Sequence, residues 1–148
     1  MKAQAPHIGP APLPWHRQPL FRSIAMAIAA LLLYGTWAWF ANSSHGSAAA
    51  WKAFATQGFV SFSVTFFITA VMEALSRIGA NCVLQFIYAA GGAIVLTVTY
   101  TVGMHWFMGT PEIFNTAAPV LTLGSIYCLL YTGNLVRESI QDRAEEKN

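Results

Sequence analysis

The sequence predicts an all-α integral membrane protein, a bundle of four transmembrane helices. Of its 148 residues 55% are hydrophobic and only 9% are charged, whereas an ordinary soluble domain is about one-quarter charged. So few charges cannot coat a soluble surface of this size. Four apolar stretches each reach the roughly 20 residues that a helix needs to cross a bilayer. These predicted spans are residues 23–41, 53–75, 83–108 and 117–136.

Outside the spans the chain offers only tails and short connections. Residues 20–136 form the membrane domain, residues 1–19 a proline-rich tail and residues 137–148 a charged tail. Proline fixes φ and lacks a backbone donor, so the first tail is predicted to be an extended tether. The second tail alternates in charge sign, which favours a solvated helical extension of span four. Span one is interpreted as an uncleaved helix and not as a signal peptide, because its flank is long and no clean cleavage site follows.

Positive charges predict the orientation of the bundle. Seven of the eight Lys and Arg residues flank one side of the spans, and only Lys52 lies on the other. The seven are Lys2, Arg17, Arg22, Arg77, Arg137, Arg143 and Lys147. Because positively charged flanks stay in the cytoplasm, both termini are expected there, with Trp37, Trp39, Trp51 and Trp106 as an aromatic belt opposite. The short connections and the lack of a sorting signal favour a bacterial inner membrane, whose lipid bilayer is the first expected partner.

Span two carries a polar side chain at every fourth position. The series runs Gln57, Ser61, Thr65, Thr69, Glu73 and Arg77. Since an α-helix turns once in about 3.6 residues, each step of four drifts by about 40° around the helix axis. The result is a slowly spiralling polar stripe. Such a stripe is costly against lipid, so it is predicted to face another helix or a wet cavity.

Spans three and four carry polar and small residues at the same spacing. The polar members are Thr97, Thr101 and His105, and the small residues expected to pack helices are Ala89, Gly91, Gly92, Ala93, Gly124 and Cys128. Small residues four apart let helix backbones approach closely. Spans two and three are therefore expected to pair as an antiparallel hairpin, flanked by spans one and four. Helix packing is the favoured interpretation of these series, and a substrate or ion path is the alternative.

Glu73 is the one carboxylate that falls within or against a predicted span. It lies about 30 Å along the helix from Ala53, which nearly crosses the hydrocarbon and puts it at the cytoplasmic boundary. Arg77 follows at i+4, in the order that favours a helical ion pair. An interfacial ion pair is the simpler interpretation. A proton- or cation-binding carboxylate at a cytoplasmic entrance is the alternative.

The connection between spans three and four contains helix-boundary signals. Gly109 is predicted to end span three in a left-handed conformation. Thr110, Pro111 and Glu112 then fit the first positions of a new helix, where a carboxylate suits the positive helix end. Pro119 is expected to kink span four or to start it afresh. The sequence thus predicts a short surface helix that turns into span four.

The residues indicate no catalytic, metal or cofactor chemistry. The sequence holds no Walker loop, dinucleotide fingerprint, nucleophile elbow or zincin motif. His45 and His105 are expected on one side of the membrane, without the spacing or the neighbouring ligands that a metal or haem needs. A net charge of +2 without a basic stripe gives no footprint for nucleic acid.

Three hypotheses of function follow from these observations. The first is a non-catalytic inner-membrane protein, a subunit or scaffold that pairs with other membrane subunits or with copies of itself. The second is a small oligomeric transporter or permease component. Its polar path would run along spans two and three from Gln57 and His105 to Glu73. The third and most distant is an interfacial membrane enzyme that uses His105 and Glu112.

Overall fold

The computed structural model describes residues 19–145 of the chain. In this range every element is helical and no strand occurs, which confirms the predicted all-α fold. The helices are α1 Pro19–Ala41, α2 Ser47–Ser76, α3 Cys82–Phe86, α4 Gly92–Phe107 and α5 Ile113–Glu145. A π-helical segment, Ile87–Gly91, joins α3 to α4. The predicted tether lies outside the described residues except for Pro19.

Four helical stretches of the described chain are long and apolar enough to cross a membrane. They are Ser23–Ala41, Ser47–Ser76, Cys82–Phe107 and Ile113–Glu145. Each overlaps one predicted span, which confirms the predicted number and order of helices long and apolar enough to span a membrane. The charged tail continues α5 as far as Glu145, which confirms the helical extension.

The connection between α1 and α2 is shorter than the sequence suggests. α1 ends at Ala41, one 3-10 turn covers Ser43–His45, and Gly46 turns the chain with a φ of +94°. α2 therefore begins at Ser47 and not near residue 53. The α1–α2 and α4–α5 connections share one end of the bundle, called the His105 end below. The α2–α3 turn marks the opposite end, called the Glu73 end.

The α4–α5 connection confirms one prediction and corrects another. Gly109 has a φ of +64°, the left-handed conformation predicted after α4. The prediction of a separate short helix is wrong, because α5 is one helix from Ile113 to Glu145 that contains Pro119. Proline cannot bond the carbonyl four residues back, which here belongs to Asn115. The Trp37 indole Nε1 on α1 donates to that carbonyl oxygen at 2.9 Å, so the helix continues without an unpaired acceptor.

The most extensive helix contact joins α1 to α2, a pairing that the sequence did not single out. Small residues make it close on both sides. A Cβ added at Gly35 would touch the Phe54 ring at 3.1 Å, and one at Gly58 would touch Leu31 at 3.2 Å. Glycine thus lets each helix accept a large side chain from the other.

The expected seam between spans two and three is present at the Glu73 end. Its buried apolar cluster contains Ile68 and Met72 of α2, Ala89 and Ala93 of span three, and Cys128 of α5. The turn that leads into the seam is tight. A Cβ at Gly79 would overlap the backbone of Leu84 and Gln85, so only glycine fits there. The Asn81 side chain accepts from Leu84 N at 2.9 Å and caps α3.

Candidate functional site

A buried polar network fills the His105 end of the α2–α4 interface. His105 Nε2 lies 2.7 Å from Gln57 Oε1, and His105 Nδ1 lies 2.9 Å from Thr110 Oγ1. The Gln57 amide nitrogen donates to Ser61 Oγ at 2.8 Å. Since the amide oxygen can only accept, His105 Nε2 is the donor of the central bond. All four side chains are buried, so their polar atoms depend on one another and not on water.

A second network ties the two connections at this end together through Asn42, which is fully buried. Its Oδ1 accepts from Glu112 N at 3.0 Å, and its Nδ2 donates to Thr116 Oγ1 at 2.8 Å. Glu112 Oε1 pairs with His45 Nε2 at 3.2 Å, and Glu112 Oε2 accepts from the Asn115 amide at 2.9 Å. The end of α1 therefore caps the start of α5. The only sign of this cap in the sequence is that Asn42 directly follows an apolar run.

The polar stripe of α2 changes its partner helix along its length. Gln57 faces α4 through His105, whereas Thr69 Oγ1 lies 3.0 Å from the Tyr127 hydroxyl of α5. One turn further, Glu73 Oε1 accepts from the Tyr131 hydroxyl at 2.9 Å. The drift of about 40° per step amounts to about 160° over the four steps from Gln57 to Glu73. The stripe therefore passes from span three to span four and does not stay between spans two and three.

Glu73 is not paired with Arg77 among the described residues, where the one ion pair is His45–Glu112. α2 ends at Ser76, and Arg77 is its exposed C-cap residue. The i+4 geometry needs a helix that continues past both partners, and here it stops before the second. The carboxylate is held by Tyr131 instead, a partner 58 positions away in sequence.

The middle of the stripe lines a cavity of about 680 Å³ between α1, α2, α4 and α5. Small-molecule sites in proteins measure about 300–1,000 Å³. Ser61, Thr65 and Thr69 line it from α2, and Thr97 lines it from α4. The remaining wall residues are Ser23, Met26, Ala29, Ala30, Leu33, Tyr34, Val64, Ile68, Val120, Leu123, Gly124, Tyr127 and Cys128. The wall is thus mainly apolar and carries no charged side chain.

The cavity opens sideways between α1 and α5. Wall residues on these two helices are also surface residues, with Met26 64% and Leu33 65% exposed on α1 and Leu123 54% exposed on α5. α1 packs mainly on α2 and only lightly on α5. The gap between α1 and α5 therefore leads from the cavity to the apolar surface of the bundle.

Two buried hydroxyls of α4 have no hydrogen-bond partner, those of Thr97 and Thr101. Thr97 is 6% exposed and lines the cavity, whereas Thr101 is fully buried beyond it. Leaving a buried donor or acceptor unpaired costs about 1–3 kcal/mol. Both oxygens are buried, so each hydroxyl carries this cost inside the bundle.

The small residues singled out in the sequence have different surroundings. Ala89, Ala93 and Cys128 are buried in the seam, and Gly124 lines the cavity. A Cβ at Gly92 would press on the Leu75 side chain at 2.8 Å, whereas Gly91 has open space around it. The described residues contain no group of three or more His, Cys, Asp or Glu side chains that could hold a metal ion.

Comparison with protein families, with curated proteins and with solved structures gives no match for the chain.

The buried network makes a prediction about stability. Replacing Gln57 by Leu, or His105 by Leu, leaves the other residue's polar atoms buried without their partner. Each single change should lower the free energy of unfolding by about 1–3 kcal/mol. The double replacement should cost less than the sum of the two, by about 0.5–3 kcal/mol, because both polar groups are then gone.

This double-mutant cycle is measured by reversible unfolding of the four proteins with sodium dodecyl sulfate in mixed micelles. Thr99→Val serves as the control, because Thr99 is exposed and lies on the same helix as His105 but outside the network. This variant should unfold like wild type. Strict additivity of the two network substitutions would contradict the Gln57–His105 bond.

Proposed function

We propose that the protein is a non-catalytic, multi-pass inner-membrane protein whose helical bundle binds a small molecule, as a component of a transporter or permease. The observation that carries this proposal is the cavity of about 680 Å³ lined by residues of α1, α2, α4 and α5. Its size is that of a small-molecule site, and its apolar wall with a few polar groups is the usual composition of such a site.

The route of the polar stripe supports a transport role over simple packing. From the cavity, Thr69–Tyr127 and Glu73–Tyr131 continue the line of hydrogen-bonding groups toward the Glu73 end. A carboxylate at the mouth of such a line can take up a proton or a cation. In the opposite direction the bonded chain of Ser61, Gln57 and His105 closes the bundle. In this proposal the cavity is therefore reached from the side and from the Glu73 end.

A non-catalytic role is supported by the bonding of the residues that an interfacial enzyme would use. His105 is buried and bonded to Gln57 and Thr110. The carboxylate of Glu112 is shared between His45 and Asn115. Both residues thus hold the connections of the bundle in place.

The second candidate function is a subunit or scaffold of a membrane complex. It is favoured by the outward face of α4, where Thr99 and Gly103 are exposed four residues apart. A Cβ at Gly103 would meet nothing within 4 Å. Small residues at this spacing let a further helix, from a second copy or another subunit, approach closely.

The orientation proposed for the bundle puts both termini and the Glu73 end in the cytoplasm, in agreement with the positive charges of Arg77, Arg137 and Arg143. In a chain with Cys82 and Cys128 replaced by Ser, a single Cys at Ser44 should react with a membrane-impermeant maleimide in intact cells. A single Cys at Gln141 should react only after the cells are permeabilised. Both positions are exposed, so their intrinsic reactivity is comparable. Labelling of Gln141→Cys in intact cells would refute the orientation.

Filling the cavity should abolish small-molecule binding without unfolding the protein. Gly124 lines the cavity and a Cβ there has open space, so the side chain of Gly124→Leu enters it. Gly133→Leu is the matched control, because this glycine lies on the same helix, is exposed and also has open space. Native mass spectrometry of gently extracted protein should show a bound small molecule in wild type and in Gly133→Leu but not in Gly124→Leu. The same occupancy in all three proteins would contradict binding in the cavity.

A further inference from the structure

We infer that the molecule bound in the cavity is a membrane phospholipid, one of whose acyl chains enters between α1 and α5 from the leaflet at the Glu73 end. This inference rests on the proposed function, that the cavity of a membrane-spanning bundle binds a small molecule. It adds the chemical class of that molecule, its route of entry and its direction in the site.

The wall of the cavity suits a hydrocarbon chain better than a charged ligand. Most wall residues are apolar, and none is Asp, Glu, Lys, Arg or His. A charged ligand would lose its hydration there without gaining a partner of opposite charge. A hydrocarbon chain that comes from the bilayer has no hydration to lose. It also gives the wall atoms the dispersion contacts that an empty space denies them.

The hydroxyl-bearing residues of the wall do not require a polar ligand. Thr69 Oγ1 lies 3.0 Å from the Tyr127 hydroxyl, and Ser61 Oγ accepts from the Gln57 amide. The hydroxyl oxygen of Thr97 is itself buried. These groups are either bonded within the protein or covered by it, so an apolar occupant takes no hydrogen bond away from them.

The opening between α1 and α5 lets a chain enter from the side. Met26 and Leu33 on α1 and Leu123 on α5 are exposed, and all three also line the cavity. Met26 and Leu33 are seven residues apart, or about 10 Å along the helix. The opening therefore extends along the helices, so a chain that lies parallel to them can pass from the bilayer into the cavity without crossing water.

The extent of the cavity along α1 matches one leaflet of a bilayer. The α1 wall residues run from Ser23, the first residue of the span Ser23–Ala41, to Tyr34. Tyr34 is 11 residues from Ser23, or about 16 Å, and half of a hydrocarbon layer measures about 15 Å. Because α1 begins at the Glu73 end, the cavity reaches from that edge of the membrane to about its middle. An acyl chain anchored in that leaflet covers the same depth in the same direction.

The α5 wall residues distinguish the two ends of such a chain. They run from Val120 to Cys128, and both of these side chains are almost completely buried. Because α5 begins at the His105 end, Cys128 lies nearer to the Glu73 end than Val120 does. The part of the chain next to the headgroup should therefore contact Cys128, and the methyl end should contact Val120.

The inference is tested by photo-cross-linking in bilayers. Full-length protein is reconstituted into vesicles of phosphatidylethanolamine and phosphatidylglycerol with a trace of a phosphatidylethanolamine that carries a diazirine in one acyl chain. One probe has the diazirine next to the ester, and the other has it near the methyl end. Both leaflets contain the same lipids, so the orientation of the protein in the vesicle does not affect the result. Cross-linked residues are mapped by peptide mass spectrometry.

Three proteins are compared, namely wild type, Gly124→Leu and the matched control Gly133→Leu. In wild type the ester-end probe should label Cys128, and the methyl-end probe should label Val120. Both labels should be lost in Gly124→Leu, whose new side chain fills the cavity, and kept in Gly133→Leu. Labelling of Val95, an exposed residue of α4 outside the cavity wall, should be the same in all three and shows that each protein is inserted.

The wild-type pattern tests the direction of the chain without any variant. Labelling of Cys128 by the methyl-end probe and of Val120 by the ester-end probe would contradict entry from the leaflet at the Glu73 end. Equal labelling of the wall in Gly124→Leu and in wild type would contradict a chain inside the cavity.

Native mass spectrometry of the same three proteins, gently extracted, separates this inference from the proposed function. If the wall of wild type is not labelled but a bound molecule is present and is lost in Gly124→Leu, a free fatty acid or another compound occupies the cavity. The phospholipid assignment is then wrong and the proposed function stands. If wild type shows neither a labelled wall nor a bound molecule, both fail.

Discussion

The four-residue spacing of polar side chains on α2 is the constraint on which the rest of the bundle depends. A helix that exposes Gln57, Ser61, Thr69 and Glu73 to apolar surroundings must be covered by groups that hydrogen-bond to them. Because the spacing of four exceeds the helical period, a single straight neighbour cannot do this. His105 of α4 covers the first part of the stripe, and Tyr127 and Tyr131 of α5 cover the last part. This division determines that the start of the stripe faces α4 and its end faces α5.

The cavity is a consequence of the same geometry. At Ser61 and Thr65 the stripe has turned away from α4 and has not yet reached the tyrosines of α5. On α5 the small residues Gly124 and Cys128 line this region beside Val120, Leu123 and Tyr127. A space with a mainly apolar wall and a few hydroxyl-bearing residues remains.

The His105 end of the bundle is held together by long-range hydrogen bonds. Asn42 caps α5 from the end of α1, and Trp37 satisfies the carbonyl that Pro119 would otherwise leave unpaired. Both contacts hold α1 and α5 together where the chain connections lie. Further along, the same two helices separate and form the sideways opening of the cavity. The bundle is thus fastened at one end and open along its middle.

The spanning helices could be predicted from the sequence because length and apolar composition are local properties. The polar stripe of α2 and its drift were also visible, since a period of four can be counted. The identity of the partner helix could not be predicted. Spans three and four both offer small residues at the right spacing, and only the accumulated rotation decides between them. Tyr127 and Tyr131 gave no signal, because two tyrosines in an apolar helix look like ordinary packing residues.

The same limit applies to the boundaries and to the cavity. Pro119 indicated a helix break, and the indole of Trp37, 82 positions earlier in the sequence, removes the need for one. Asn42 follows an apolar run directly, and nothing near it in the sequence indicates that it caps a helix that begins 71 positions later. A cavity is a space between four helices, and no single segment contains a sign of it. These features depend on long-range contacts that composition and periodicity do not specify.

The transfer of the stripe from α4 to α5 is the central claim, and magic-angle-spinning NMR in lipid bilayers tests it most directly. In protein labelled at Glu, Tyr and Arg, the Glu73 carboxyl carbon should show a through-space cross-peak to the hydroxyl-bearing ring carbon of Tyr131. Replacing Tyr131 by Phe should remove that cross-peak together with the other signals of Tyr131. A cross-peak from Glu73 to the guanidinium carbon of Arg77 in its place would contradict the account, because the stripe would then end in a local ion pair and not on α5.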